Sequence, residues 1–508
     1  MAEALRDKAI YGAKWQALAS YGSQVVQAAV AIVLGWLVDK EDYGVVAAGM
    51  LALNLVRACG SLGVNYALVH RRDRVQAATN TAFTLTLLIG AASYLVLLGV
   101  APAAGAYFED ARVTRLIPAL GLLLFLKPMA IVTQGTLTRD FRFRRLFLVD
   151  FSAVVLSSAT AIVLAWLLPR AHRFWALAIA GLGREGTRSL AAWFLAVVRP
   201  RLRFDRAMAR ELLSYGKFFV FSAIVMVLYN NVERFALGGM LSMAALGLYA
   251  FAHKWVVRVG DVSETIFGGV SLPIYAKLQD DVPRLRASYC RIVRLSALMS
   301  TGLLAGLALL VPEGLALVFP PRWGPSVPIF QVLALWYMVR AVDTTTGQLY
   351  ASVGKPKYNT GLAVVNLVVM GFTVVPFILW WGPVGAAWSL VAARSVALVC
   401  NALVCRRVLQ CSMSRLVDVV VPALKAGSAM ALVLASAHLA ALRWVVGHRP
   451  EWIDGPFEWF FLVALIGFGA LVYVAVLWLV ERDLFRETVG LLRDALRRRK
   501  AKADDSVS

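Results

Sequence analysis

Nine basic residues stand inside long apolar stretches of this 508-residue sequence: Arg57, Lys127, Arg184, Arg188, Arg234, Lys254, Arg258, Arg340 and Arg394. A cation at the centre of a bilayer costs about 2.5–3.5 kcal/mol on insertion scales, so each must face protein or water and marks a functional position by default. Arg57, Lys127, Arg184, Arg340 and Arg394 lie near the middle of their stretches, about ten or more helical residues from the nearest basic loop, beyond the reach of a snorkelling side chain. Against them stand Glu185, Glu233, Asp261, Glu264 and Asp343, which leaves an excess of about four positive charges. Glu185–Arg188, Arg258–Asp261 and Arg340–Asp343 are three residues apart, on one face of a helix. Two readings stay open: closed salt bridges that hold a bundle together, or a wet cationic cavity that attracts an anion. Arg57, Lys127 and Arg394, with no acid on their own helix interior, suit the cavity. Its candidate binding set is Arg57, Lys127, Arg184, Arg188, Lys254, Arg258, Arg340 and Arg394. A guanidinium binds two phosphate oxygens at once, and cations spread over many helices suit a large anion such as a diphosphate bearing a sugar chain. Trp15, Trp175, Trp193, Trp255 and Trp388 could stack on sugars, although Trp is also a routine interfacial residue.

The elements that must position these groups are membrane helices. The chain is 60% hydrophobic and only 16% charged, with mean hydropathy +0.70, whereas soluble domains average about 45–50% apolar and about 25% charged. Apolar runs between charge clusters predict an all-α polytopic membrane protein of about fourteen helices: roughly 14–38, 43–69, 77–102, 115–137, 147–168, 174–198, 216–240, 245–275, 292–319, 326–350, 359–380, 384–405, 419–441 and 457–480. Thirty-five Lys and Arg fall in one set of loops and the two ends, and eight in the alternate loops. The positive-inside rule then places both termini in the cytoplasm, which accounts for most of the +22 net charge. Eight of the nine interior cations sit on even-numbered spans. The outer loops are short, the longest near residues 442–457, so no external domain is expected to hold a catalytic site. No polar stretch is long enough to fold as a nucleic-acid-binding face. Arg6 and Lys8 precede an apolar run, but Ala17–Ala19 comes before that run, so the first segment reads as an anchor and not a cleaved signal. Cys59, Cys290, Cys400, Cys405 and Cys411 lack metal-ligand spacing and read as reduced bystanders; neither metal nor cofactor is expected. Residues 202–212 and 484–500 mix apolar and basic positions, as surface helices on an anionic leaflet do.

The sequence also repeats. Tyr11-Gly12-Ala13-Lys14 opens span one and Tyr215-Gly216-Lys217 opens span seven. Asp42-Tyr43-Gly44 follows span one as Leu246-Gly247-Leu248-Tyr249 follows span seven, with Gly44 and Gly247 offset by 203 residues. Six helices separate the copies, so the halves share one orientation, a parallel repeat of the kind transporters use. The expected domains are a six-helix lobe over 1–198, an amphipathic linker over 199–215, a second six-helix lobe over 216–410, accessory helices thirteen and fourteen over 411–480, and a basic tail over 481–508.

A series of short motifs resembles the Wzx-type oligosaccharide flippases of the multidrug/oligosaccharidyl-lipid/polysaccharide exporter superfamily, over most of the first 410 residues. They are Asp42-Tyr43-Gly44, Phe143-Arg144-Arg145-Leu146, Trp175-Ala176-Leu177, Asn230-Asn231-Val232-Glu233-Arg234, Leu246-Gly247-Leu248-Tyr249 with Ala252 and Lys254, Leu272-Pro273 with Gln279-Asp280-Asp281, Arg322-Trp323-Gly324-Pro325-Ser326-Val327-Pro328, and Gly354-Lys355-Pro356. The family usually has Asp at the position of Glu233 and a Gly-rich turn at Pro169-Arg170. The resemblance implies a non-enzymatic flippase of the bacterial inner membrane that moves undecaprenyl-diphosphate-linked oligosaccharide repeat units by alternating access, for capsule, exopolysaccharide or O-antigen. It implies as partners the polyprenyl-diphosphate-linked glycan, membrane lipid, and a polysaccharide polymerase and co-polymerase. Arg57, Lys127, Arg184 and Arg188 would form the first-lobe share of the site, with Arg258, Arg340 and Arg394 opposite. Glu185, Asp261 and Asp343 are candidates for proton or sodium coupling. A multidrug exporter or a lipid II flippase is the alternative; cationic drugs would favour an acidic cavity.

Overall fold

A computed structural model describes residues 22–60, 75–126, 143–195, 201–447 and 456–480. Lys127, Trp15, the Tyr11-Gly12-Ala13-Lys14 motif and the basic tail lie outside these described residues. Among the described residues there are helices and no strand, as expected where each backbone N–H and C=O must be satisfied within its own segment. In chain order they are α1 (Gly22–Leu37), α2 (Lys40–Gly60), α3 (Val75–Tyr107), α4 (Ala111–Gly121), α5 (Phe143–Leu167), α6 (Phe174–Leu195), α7 (Arg206–Tyr229), α8 (Val232–Met240), α9 (Met243–Lys277), α10 (Val282–Val318), α11 (Val327–Val342), α12 (Thr346–Ser352), α13 (Lys357–Leu409), α14 (Met413–Gly447) and α15 (Pro456–Val480).

Every predicted apolar run contains helix where it falls in the described residues. By length and apolarity alone, six helices among the described residues qualify to cross a membrane. Among those that miss are α2, α6 and α9, which carry the interior charges Arg57, Arg184–Glu185–Arg188 and Lys254–Arg258–Asp261–Glu264. Two predicted spans are broken. Span seven divides into α7 and α8 at Asn230-Asn231, where the Asn231 amide donates to the Val227 carbonyl. Span ten divides into α11 and α12 at Asp343–Thr345. Such breaks are tolerated at membrane depth where protein or a wet cavity satisfies the freed backbone, and in transporters they mark binding regions. Spans eleven and twelve run together as α13, bent at Gly382 (φ 58°, ψ −136°) just before Pro383.

The expected surface helix over 202–212 differs in the structure. Residues 201–205 are not helical, and Asp205 caps Ala207 and Met208 to start α7, which runs on without interruption into span seven. The non-helical stretch is pinned to α3: Asn80 accepts from the Arg201 N–H, and Thr84 donates to the Arg203 carbonyl. Leu202 and Phe204 stay exposed beside these arginines, the composition of a membrane-surface segment.

The chain divides into two compact units. The first comprises Met1–His253, Val318–Ile329 and Ala363–Ala393; the second comprises Lys254–Leu317, Phe330–Leu362 and Arg394–Ser508. Within the first, α2 packs on α3, α4, α6 and α7, and α5 packs on α6. Within the second, α14 packs on α15, and Tyr473 of α15 donates to the Leu298 carbonyl of α10.

The repeat is visible inside the first unit as reciprocal contacts. A Cβ on Gly44 would strike the Met243 carbonyl oxygen, and one on Gly247 would strike the Lys40 carbonyl oxygen. A Cβ on Gly35 would strike the Phe319 ring, and one on Gly238 the Phe108 ring. Gly35 and Gly238 keep the same 203-residue offset as Gly44 and Gly247. Equivalent residues of the two halves therefore meet each other's partners, the signature of a twofold-related pair.

The bend at Gly382 makes a direct demand. Its φ/ψ pair belongs to a region essentially reserved for glycine, where other residues pay about 1–3 kcal/mol. Gly382→Ala is expected to lower the apparent melting temperature of the detergent-purified protein in a thermal-aggregation assay. An unchanged melting temperature would show that the bend does not depend on glycine.

Candidate functional site

In the first unit the candidate cations gather around α6. Arg184 and Arg188 are one helical turn apart and so share a face. Arg184 places Nη1 3.5 Å from Gln27 Oε1 of α1. Arg188 donates from Nε to Asp150 Oδ1 of α5 at 2.8 Å. Arg57 of α2 lies within electrostatic reach of Glu185. Arg57, Arg184, Glu185 and Arg188 are all half-buried, and a charge inside a membrane helix must face protein or water.

The ninth interior cation, Arg234, belongs to a more enclosed cluster. Its Nε lies 3.5 Å from Oε1 of the buried Glu233, and its Nη2 lies 2.9 Å from His253 Nδ1. A guanidinium only donates, so His253 Nδ1 accepts and the ring's proton sits on Nε2.

In the second unit α9 and α11 form an ion network. Tyr337 donates to Asp261 Oδ1 at 2.6 Å and to Glu264 Oε2 at 3.1 Å. Arg340 donates to the same Glu264 oxygen at 2.7 Å, with its guanidinium 4.7 Å from the centroid of the Tyr337 ring. The break after α11 leaves Asp343 beside Arg394 of α13, at 2.5 Å. Arg258 lies over the Trp255 ring at 5.1 Å, so a cation already faces one of the aromatic candidates for sugar stacking. Lys254 is exposed.

Arg188 and Arg340 thus pair across helices, with Asp150 of α5 and Glu264 of α9, and Arg394, which has no acid on its own helix, pairs with Asp343 at the α11–α12 break. Two of the partners do not stand out in the sequence. Asp150 sits in the early turns of α5, near the start of the predicted span 147–168 and close to Arg142, Arg144 and Arg145, and it lies outside the acids set against the interior cations. Tyr337 stands one turn before Arg340, a spacing that is the only signal for it.

Burial decides what each pair does. Arg394 and Asp343 are 15% and 9% exposed. Breaking so buried a pair from one side costs about 3–5 kcal/mol, because the remaining charge is stranded. Arg188 and Asp150 are 32% and 29% exposed, and where water reaches a pair that open it contributes about 0–1 kcal/mol. Arg394→Ala is therefore expected to lower the apparent melting temperature in detergent strongly, and an Arg394→Met/Asp343→Leu double variant to recover most of it. Arg188→Ala should leave it nearly unchanged. Equal losses for Arg394→Ala and Arg188→Ala would contradict this division.

Residues 33–328 match the family described as Polysaccharide biosynthesis protein. Among curated relatives, the lipopolysaccharide biosynthesis protein WzxC of Escherichia coli (strain K12) is 23% identical over 354 residues, covering 68% of this chain and 70% of WzxC. The teichuronic acid biosynthesis protein TuaB of Bacillus subtilis (strain 168) is 22% identical over 348 residues, covering 68% of this chain and 71% of TuaB. Among solved structures, the lipid II flippase MurJ in an inward closed conformation superposes with a TM-score of 0.71 at 13% identity, over 92% of this chain and 99% of MurJ. That likeness establishes the polytopic helical transporter fold. With more than half of its length matched, this multi-pass membrane chain belongs to the polysaccharide biosynthesis protein family.

Proposed function

We propose that the protein is a flippase that moves undecaprenyl-diphosphate-linked oligosaccharide repeat units across the bacterial inner membrane, for capsule, exopolysaccharide or O-antigen. Its two six-helix lobes, 1–198 and 216–410, open alternately to the cytoplasm and the periplasm, and both termini are cytoplasmic. The observation that carries this reading is the half-buried cation set on α2 and α6, Arg57, Arg184 and Arg188, of which Arg188 is paired with Asp150. A diphosphate offers these guanidinium groups more oxygens than a single carboxylate does, and it displaces Asp150 at little cost because that pair is wet. The polyprenyl tail stays in lipid, so only the head group needs a polar path. Lys127, Lys254, Arg258 and Arg340 are further candidate cations for the head group. Arg394, locked to Asp343, holds helices in place more than it meets cargo. Glu185, Asp261 and Asp343 remain the acids through which a proton or sodium gradient would act. The chain performs no covalent chemistry; it hands the flipped unit to a polymerase and co-polymerase at the outer face.

The excess of basic over acidic residues in these helices weighs against a carrier of cationic drugs. A lipid II cargo has the same head-group chemistry, and membership in the polysaccharide biosynthesis family favours an oligosaccharide repeat unit over it.

In a strain lacking the chain, lipid-linked repeat units should accumulate on the cytoplasmic face, and the wild-type protein should clear them. An Arg57→Ala/Arg184→Ala variant present at normal level should cut surface glycan by at least about tenfold, equivalent to ~1.4 kcal/mol. Full export by that variant would refute the cation assignment. Normal lipid-linked glycans together with drug hypersensitivity in the deletion strain would refute the cargo.

A further inference from the structure

In the second unit a cavity of about 410 Å³ lies between α10, α11, α13 and α14, within the ~300–1,000 Å³ that small-molecule sites span. Beside it stand Arg286, Arg406 and Arg415, which have no carboxylate within ion-pair distance among the described residues. We infer that cavity and arginines together form a site for one anionic phospholipid, with an acyl chain in the cavity and the phosphate on the three guanidinium groups. The site uses none of the proposed cargo cations and stands whichever glycan the carrier moves.

The cavity is made for hydrocarbon. Its lining includes Val399, Val417 and Leu424, each more than half exposed on the surface of α13 or α14, and both helices are long and apolar enough to cross a membrane. Deeper in the wall are Val293, Val419 and Cys405, all buried. The polar groups of the wall are engaged with one another and with α12. The Tyr289 and Thr346 hydroxyls are 2.9 Å apart, Tyr350 donates to Asn401 Oδ1 at 2.6 Å, and Asn401 Nδ2 donates to Thr346 at 3.3 Å. The remaining surface is apolar, and such a cavity does not hold water. A hydrocarbon chain entering from the bilayer can fill it.

The arginines supply the other half of a lipid's chemistry. Arg286 stands one turn before Tyr289 on α10, Arg406 follows Cys405 near the end of α13, and Arg415 precedes Leu416 in the first turn of α14. Each therefore neighbours a residue of the cavity wall, and all three lie within electrostatic reach of Cys411 in the turn between α13 and α14. Arg406 and Arg415 are exposed; Arg286 is half-buried, and its buried Nε has no hydrogen-bond partner among the described residues. A buried donor left unpaired costs about 1–3 kcal/mol, more for a charged group, and an anion provides the acceptor it lacks. The start of α14 adds the positive end of a helix dipole. A phosphodiester has oxygens enough for several guanidinium donors. Basic loops attract anionic lipid without any built site; an unpaired buried donor beside an apolar cavity is what distinguishes this place from such a loop.

The test is lipid retention by the detergent-purified full chain, read by native mass spectrometry with dioleoylphosphatidylglycerol and dioleoylphosphatidylcholine as probes. One phosphatidylglycerol should bind at least about tenfold more tightly than phosphatidylcholine, equivalent to ~1.4 kcal/mol. Arg286→Gln/Arg415→Gln should remove that preference. Ala402→Phe, which fills the cavity from its wall, should abolish retention with the arginines in place; should it fail to fold, Val417→Trp at the exposed edge takes its role. No preference in the wild-type protein, or one that survives in Arg286→Gln/Arg415→Gln, would overturn the site. Retention that survives the cavity-filling variant would reduce it to a basic surface and overturn it equally. Undecaprenyl phosphate displacing phosphatidylglycerol one for one at lower concentration would give the cavity to a polyprenyl chain and overturn the phospholipid assignment. No glycan enters the measurement, so its failure leaves the proposed cargo untouched.

Discussion

A charge inside hydrocarbon has to be paired or hydrated, and the arrangement of these helices follows from how each charge meets that requirement. On α6, Arg184 and Arg188 lean on Gln27 and Asp150 from neighbouring helices while remaining half-buried. On α11 and α13, Arg340 and Arg394 are matched to Glu264 and Asp343, and Tyr337 bridges both α9 carboxylates. The two kinds of pair have different consequences. A buried pair such as Arg394–Asp343 fixes the relation between helices, because separating it strands a charge. A more open pair such as Arg188–Asp150 is close to neutral in energy where water reaches it.

The breaks in the helices serve the same requirement. Asn230-Asn231 ends α7 immediately before Glu233 and Arg234, and Asp343–Thr345 ends α11 immediately after Arg340. Freed backbone groups there are met by side chains: Asn231 donates to the Val227 carbonyl, and Thr344 donates to the Arg340 carbonyl. Interrupted helices with charges at the interruption are how membrane transporters bring polar groups to the midplane. The repeat then places equivalent glycines, Gly44 and Gly247, where backbone can touch backbone.

Much of this is legible in the sequence, and what is not has a common cause. Helix positions follow from runs of apolar residues, because hydropathy is a local sum. The Gly44–Gly247 offset exposes the repeat, since only glycine allows such close approach and both copies need it. Pairings are not legible. Arg188 and Arg340 each have an acid three residues away on their own helix, yet they bond to Asp150 and Glu264 on others. Which rotamer a long side chain adopts depends on what neighbouring helices present, and that is decided by packing. Arg394, with no acid on its own helix, reads as an open cavity cation, while the α11–α12 break delivers Asp343 to it. Nothing periodic in the sequence marks where a helix stops within the membrane.

Movement of a diphosphate-linked glycan from one leaflet to the other can be measured without a cell. Purified protein in liposomes carrying polyprenyl-diphosphate-linked oligosaccharide in the inner leaflet should make that glycan progressively available to an impermeant glycosidase outside. Protein-free liposomes and the Arg57→Ala/Arg184→Ala protein should keep it protected. Equal exposure with and without active protein would contradict the account.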